Sequence, residues 1–264
     1  MIKASALKLV SGENEMLLPI SSSQNMQDIK IELSSSECKI PKAVEDLSYK
    51  MMCMESSIRN ILEELRSSYI NKKQDFHVSM IDIPIEKKKE VIDMFKGMYG
   101  VLYEVCYCSS CDTLNGKIVY SHKAQRFITG QYLEIASRTV ISSVLNELEA
   151  IYNKKFKIYN NVIVSTLDGR IKNEFDSVIE NVTDSIMYVI ECKSGKQFND
   201  FDKLSRIGKE YGIVPNRLLL VDNYLTNDKA EMVEYFCDYY VTNLEGDNLK
   251  RKLTEMLKND LEEE

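Results

Sequence analysis

The stretch "IMYVIECK", residues 186–193, runs as an apolar strand and then ends in a Glu and a Lys two residues apart. Side chains alternate faces along a strand, so Met187, Val189, Glu191 and Lys193 share one face and Ile186, Tyr188, Ile190 and Cys192 the other. Glu191 and Lys193 therefore emerge together at one strand end. The preceding run, "NEFDSVIEN" (173–181), carries Asp176 amid apolar residues, and the polar "ENVTDS" (180–185) reads as a hairpin connection. Such pairing sets Asp176 beside Glu191 on the neighbouring strand. Charge is seldom tolerated in half-buried strands unless it is paired or binds something. Two unpaired carboxylates that close repel each other and need a cation between them. Oxygen ligands with no neighbouring His select Mg²⁺ or Mn²⁺ over Zn²⁺, and an adjacent Lys is a natural partner for a phosphate or an activated water. The competing explanation is a solvated hairpin on which Lys193 pairs with the carboxylates.

The elements around these two runs read α-β-β-β-α-β-α-β-α. Residues 129–152, "TGQYLEIASRTVISSVLNELEAIY", form an amphipathic helix with Leu133, Val140, Ile141, Val144, Leu145, Leu148 and Ile151 apolar and Thr129 expected as its N-cap. "KFKIYNNVIVSTLDG" (155–169) is a strand ending in a turn, and a helix from about Asp200 to Tyr211 stops at Gly212. "NRLLLVDNY" (216–224) has the continuous apolar run of a buried, parallel strand. A helix over 227–238, a short strand "YYVTN" and a last helix from about Asp247 complete the order.

Residues 1–40 begin β-rich, with short strands separated by turn chemistry. Pro41 then opens a helical segment to about Ile70. Its apolar positions, Val44, Leu47, Met51, Met54, Ile58, Ile61 and Leu65, keep a 3-4-3-4 spacing, the seam of a coiled coil. A homodimer through residues 44–65 is expected on that basis; the alternative is a long amphipathic helix packed on the chain's own residues 1–40 or 76–108. Strand, helix and strand follow over 76–108, without a glycine-rich phosphate loop. A boundary near 112–127 predicts an N-terminal interaction or oligomerisation region over 1–120 and a second domain over 121–264.

The order Glu134, Asp176, Glu191-x-Lys193, carried by "FITGQYLE", "NEFD" and "YVIECKSG", resembles the PD-(D/E)xK, or restriction-endonuclease-like, nuclease superfamily. The likeness is greatest to the nuclease domain of CRISPR-associated, cyclic-oligoadenylate-activated nucleases, and it covers about residues 125–245. An isolated E-x-K proves nothing; the specificity lies in the set. The resemblance implies an α/β C-terminal domain with a mixed sheet. It implies that Asp176, Glu191 and the Cys192 carbonyl ligate Mg²⁺ or Mn²⁺, and that Lys193 orients or deprotonates the attacking water. Glu134 would be the helix carboxylate that completes the site, against the alternative of an exposed helix charge. Glu174 is a secondary candidate ligand, and Lys203 and Arg206 could reach phosphate. The N-terminal sensor of those relatives is not recognised in residues 1–120.

Net charge is −7, which argues against coating nucleic acid by charge alone but not against a nuclease, since bound cations offset local carboxylates. A phosphate-binding surface must then be local, and "NKKFK" (153–157), Arg170 with Lys172, and Lys193 with Lys196 are its candidates. Seven unevenly spaced cysteines disfavour a disulfide framework and favour the cytoplasm. "CYCSSC" places Cys106, Cys108 and Cys111 ahead of His122, a chemically feasible zinc set with only one C-x-x-C knuckle. No run is long and apolar enough for a membrane helix. The function expected is a cytoplasmic Mg²⁺/Mn²⁺-dependent endonuclease acting on DNA or RNA, in antiviral defence or nucleic-acid processing. The alternative is a non-catalytic nucleic-acid-binding or assembly protein that keeps the fold.

Overall fold

The structure is a computed structural model that describes residues 5–11, 14–20, 29–33, 40–98, 100–166, 172–195 and 200–262. In chain order the elements are β1 (Ser5–Ser11), β2 (Asn14–Ile20), β3 (Ile29–Leu33), α1 (Lys42–Cys53), α2 (Glu55–Ile70), β4 (Asp75–Ser79), α3 (Ile85–Lys96), β5 (Leu102–Cys108), β6 (Thr113–Ile118) and α4 (His122–Arg126). A π-helical turn (Phe127–Gln131) leads into α5 (Tyr132–Tyr152), β7 (Phe156–Thr166), β8 (Lys172–Asn181), β9 (Ile186–Lys193) and α6 (Asp202–Tyr211). A 3-10 turn (Pro215–Arg217), β10 (Leu218–Asp222), α7 (Asn227–Cys237), β11 (Tyr240–Thr242) and α8 (Asn248–Leu261) complete the chain. The fold is α/β with a mixed sheet. Two units divide it, residues 1–39 with 138–264, and residues 40–137.

In the first unit the strands form one sheet in the order β11-β10-β9-β8-β7-β3-β1-β2. β7, β8 and β9 run antiparallel, whereas β9, β10 and β11 are parallel. The division differs from the contiguous one expected at 120/121, because β3 pairs antiparallel with β7 and carries β1 and β2 into this sheet. An eleven-residue β7 without β3 would present an open row of backbone donors and acceptors.

β10 is buried along its whole length, as "LLLVD" requires of a central parallel strand. On one face of the sheet Val162, Val178, Val189, Leu218, Leu220 and Val241 pack with Leu204, Ile207 and Tyr211 of α6 and Val233 of α7. α6 approaches β10 closely at Gly208, where an added Cβ would meet Leu218 Cδ1 at 2.7 Å. It ends at Gly212, whose left-handed φ of 67° suits a residue with no Cβ. α8 buries Leu249, Leu253, Met256, Leu257 and Leu261 and packs on β10 and β11. Arg217 and Asp260 close a bidentate pair at 2.7 and 3.0 Å between the start of β10 and the end of α8.

The second unit is helical on one side and a three-stranded antiparallel sheet, β4-β6-β5, on the other. The expected continuous helix over 41–70 is interrupted at Met54, which leaves helical geometry (φ −106°, ψ 10°) between α1 and α2. Most of the heptad seam, from Met51 to Leu65, is covered by the chain itself. Met51, Ile58, Ile61 and Leu65 are at most 1% exposed, with α2 packed on β4 and α1 on α3. Each such side chain contributes roughly 1.5–3 kcal/mol on burial, and these four make that contribution within the chain. This packing matches the alternative expected from sequence, a helix laid on the chain's own residues 76–108, rather than a coiled-coil seam through residues 44–65.

The N-cap also falls earlier than Thr129. Ser121 Oγ accepts from Ala124 N at 3.1 Å and starts α4, while the Thr129 hydroxyl donates back to Gln125 O at 2.8 Å from inside the helical run. Among the described residues, no helix is long and apolar enough to cross a membrane.

Candidate active site

The face of the first sheet that packs on α6 and α7 continues past its apolar core into charge. Val189 is in that core, and Glu191 and Lys193 follow on the same face of β9. Leu218 and Leu220 are in it too, and Asp222 follows on β10, in register with Lys193. Asp222 is 1% exposed; its Oδ1 accepts from Tyr224 N at 2.8 Å, and Asn223 N donates to Lys193 O at 3.2 Å. The ends of two neighbouring parallel strands thus each place a charged side chain beyond the core.

β8 supplies the third component through a break in its pairing. Its ladder with β7 pairs Asn160 with Ser177 and Val162 with Phe175, and the row between, Asn161 against Asp176, is unpaired. Asn161 has a left-handed φ of 52°, a conformation Asn tolerates better than other residues with a Cβ. Phe175 and Val178 both enter the same core although they lie three apart, so the strand changes phase between them. Asp176 sits at that change. Arg138 of α5 holds the irregular row through a 2.9 Å bond from its guanidinium to Asn161 Oδ1.

Asp176 Oδ2 accepts the backbone N–H of Cys192 at 2.7 Å, just beyond the last paired row of β8 and β9, Ser177 with Ile190. Lys193 Nζ donates to Glu191 Oε1. The two side chains are 25% and 13% exposed, so the pair is largely shielded from solvent. Burial pulls the Lys193 ammonium down, but the carboxylates of Glu191 and Asp176 outweigh it and hold the group above the ordinary lysine range. Glu191 Oε2 is buried and has no hydrogen-bond partner among the described residues. A buried carboxylate oxygen left without a donor costs about 1–3 kcal/mol or more. That cost marks a place where a ligand could be accommodated.

The structure therefore brings Asp176, Glu191, Cys192 and Lys193 together. Glu134 is half-buried in the first turn of α5, on the residues of the other unit. Glu174 and Lys203 are exposed, and Arg206 pairs with Asp200 at 3.2 Å. Of the basic candidates, Lys154 is occupied by Asp184 at 2.9 Å, whereas Lys155 and Lys157 are exposed. Arg170, Lys196 and the Lys172 side chain lie outside the described residues. Among the described residues no three His, Cys, Asp or Glu side chains cluster as metal ligands, and this includes Cys106, Cys108, Cys111 and His122.

Two contributions were not anticipated from sequence. Asp222 could have been found, since "LLLVD" repeats the pattern of an apolar run ending in charge. Asn161 with Arg138 carries no comparable local signal.

Comparison with known proteins places the fold. No protein-family model matches the chain, and no curated protein is significantly similar to it. Among solved structures it is similar to protein VC1899 from Vibrio cholerae, at a TM-score of 0.57 and 15% identity, over 89% of this chain and 59% of that one. It is also similar to Can2 from Sulfobacillus thermosulfidooxidans, solved in complex with cyclic tetra-adenylate, at a TM-score of 0.53 and 17% identity over 88% of this chain and 56% of that one. At these identities the likeness is one of fold. The chain spans less than two thirds of either neighbour's length.

Proposed function

We propose that this chain hydrolyses phosphodiester bonds in DNA or RNA at the Asp176, Glu191 and Lys193 cluster, with Mg²⁺ or Mn²⁺ as cofactor, in nucleic-acid processing or defence against foreign nucleic acid. The observation that carries the reading is the convergence of these three side chains at adjoining strand ends, with Glu191 Oε2 buried and lacking a donor among the described residues. The structural likeness to Can2 supports it at the level of fold. Asp176, Glu191 and the Cys192 carbonyl form an all-oxygen donor set, the kind that hard divalent cations take. The buried Glu191 Oε2, without a hydrogen-bond partner among the described residues, fits such an ion. When bound, the metal supplies Lewis-acid polarisation of the phosphate and acidifies a coordinated water.

The chain's own residues then divide the remaining work. Asp176 is fixed by the Cys192 N–H, so its carboxylate is oriented before any ligand arrives. Lys193 is held as an ammonium, so in the metal-free protein it suits binding a phosphate oxygen or orienting a water rather than taking a proton. Glu191 holds Lys193 in the absence of metal, and a dication at the carboxylates would compete for it.

The test is direct. Purified protein is mixed with Mn²⁺ and plasmid DNA or single-stranded RNA, beside Lys193→Ala and Glu191→Gln proteins prepared identically. Cleavage by the wild type and its loss in both variants is the expected result. Absence of cleavage, together with no metal-dependent shift in melting temperature, would favour the non-catalytic alternative.

A further inference from the structure

The tip of the β5–β6 hairpin carries chemistry that the hydrolytic reading does not use. β5 ends at Cys108 and β6 begins at its cross-strand partner Thr113, with a four-residue turn between them. Cys108 Sγ lies 3.1 Å from Ser110 Oγ, and Cys111 Sγ lies 3.0 Å from Thr113 Oγ1. Around the Cys108 sulfur stand the polar groups of Cys111 and Ser110, side chains first and then the backbone N–H groups of the same residues. These donors favour the anion and lower the Cys108 thiol to about 7.

The turn is anchored. Asp112, with a left-handed φ of 50°, accepts from Lys88 Nζ and from Tyr107 OH, both at 2.6 Å, and its carbonyl takes the Met80 N–H at 2.8 Å. Both thiols thus belong to one anchored turn, three residues apart, at an accessible site, since Cys111 is exposed and Cys108 half-exposed. The contrast is Cys237, whose thiol is pushed up by burial. With no third metal-ligating side chain gathered there among the described residues, two thiols in a C-x-x-C turn favour sulfur redox chemistry over a metal site.

We propose that Cys108 and Cys111 form a reversible thiol–disulfide site whose co-reactant is a low-molecular-weight disulfide of the glutathione class. The Cys108 thiolate attacks one sulfur of the disulfide, forming a mixed disulfide and expelling one thiolate. Cys111 loses its proton, attacks Cys108 Sγ and closes the Cys108–Cys111 bond while the second small thiolate leaves. Both leaving thiolates are protonated, so two protein thiols are oxidised and one disulfide is reduced to two thiols. Cys108 is the attacking residue and Cys111 the resolving one.

The full-length protein is reduced, equilibrated with oxidised glutathione, blocked with N-ethylmaleimide and digested, and the 97–117 peptide is mapped by mass spectrometry. Wild type and Cys106→Ser are expected to carry a 108–111 disulfide, and Cys111→Ser to stop as a mixed disulfide on Cys108. At pH 7 Cys108 is expected to react about tenfold faster than the exposed Cys53. The proposal is overturned if both thiols stay fully alkylated in the wild type, if Cys106→Ser abolishes the bridge, or if Cys108 and Cys53 react at equal rates. None of these outcomes depends on nuclease activity.

Discussion

Asp176 Oδ2 receives the backbone N–H of Cys192 at 2.7 Å, at the row where the β8–β9 ladder ends. A carboxylate proposed to act on substrate is therefore also the acceptor that fixes the end of β9. From sequence, a carboxylate beside Glu191 is expected only to repel it, so that removing Asp176 should not destabilise the metal-free protein. The bond to Cys192 reverses that expectation.

The two roles separate by substitution. Asp176→Asn keeps an acceptor for Cys192 but removes the charge; Asp176→Ala removes both. Both variants are expected to lose cleavage by at least about 100-fold. Only Ala should lose stability appreciably, by about 1.5–3 kcal/mol for a hydrogen bond to a charged group. Urea melts and cleavage rates measured on the same preparations check this. Wild-type cleavage by Asp176→Asn would remove Asp176 from the chemistry.

The Lys193 pair makes a statement about pH. The ammonium of Lys193 titrates above its ordinary range in the folded chain, chiefly because Glu191 and Asp176 overcome the effect of burial. A group with a raised folded pKa stabilises fully below its unfolded pKa, about 10.4 for Lys, and loses that contribution as pH rises through the folded value. The difference in Tm between wild type and Lys193→Met should therefore be constant from pH 7 to about 10 and change only above it. A difference that decays by pH 8 would mean that the ammonium is not held by the carboxylates.

Which parts of this arrangement the sequence announces follows from how local each signal is. The apolar runs of β9 and β10 and the charge ending "YVIECK" state their faces through a period of two. The same period does not name a strand's partner, so the pairing of β3 with β7 could not be read from residues 29–33. The seam at Met51, Ile58, Ile61 and Leu65 announces a buried stripe equally well whether the cover is a second copy or the chain's own β4 and α3. The Asn161 irregularity depends on a contact with Arg138, 23 residues away, and no propensity reports it.

Metal should register without turnover. Mn²⁺ at about ten times its dissociation constant is expected to stabilise the wild type by roughly 1.4 kcal/mol, and Glu191→Gln much less. Ca²⁺ should stabilise as well but support little cleavage, because it accepts looser geometry and more ligands. Differential scanning fluorimetry with each ion, beside cleavage assays, reads both. Full activity in excess EDTA would exclude a metal from the mechanism.

The last prediction concerns Ile58, which is 0% exposed in α2. Were the heptad seam a dimer interface, Ile58→Glu would convert a dimer to a folded monomer. Here the side chain is covered within the chain, with α2 packed on β4, so the substitution buries an unpaired carboxylate in its own core. The cost is several kcal/mol, about the total stability of many domains, and residues 40–137 should lose cooperative folding rather than dissociate. Ile58→Val, which keeps the apolar volume less one methylene, should cost only about 0.5–1.5 kcal/mol. Circular dichroism melts with light scattering on wild type and both variants decide between the two pictures. A fully folded Ile58→Glu monomer arising from a wild-type dimer would show that the seam faces another copy after all.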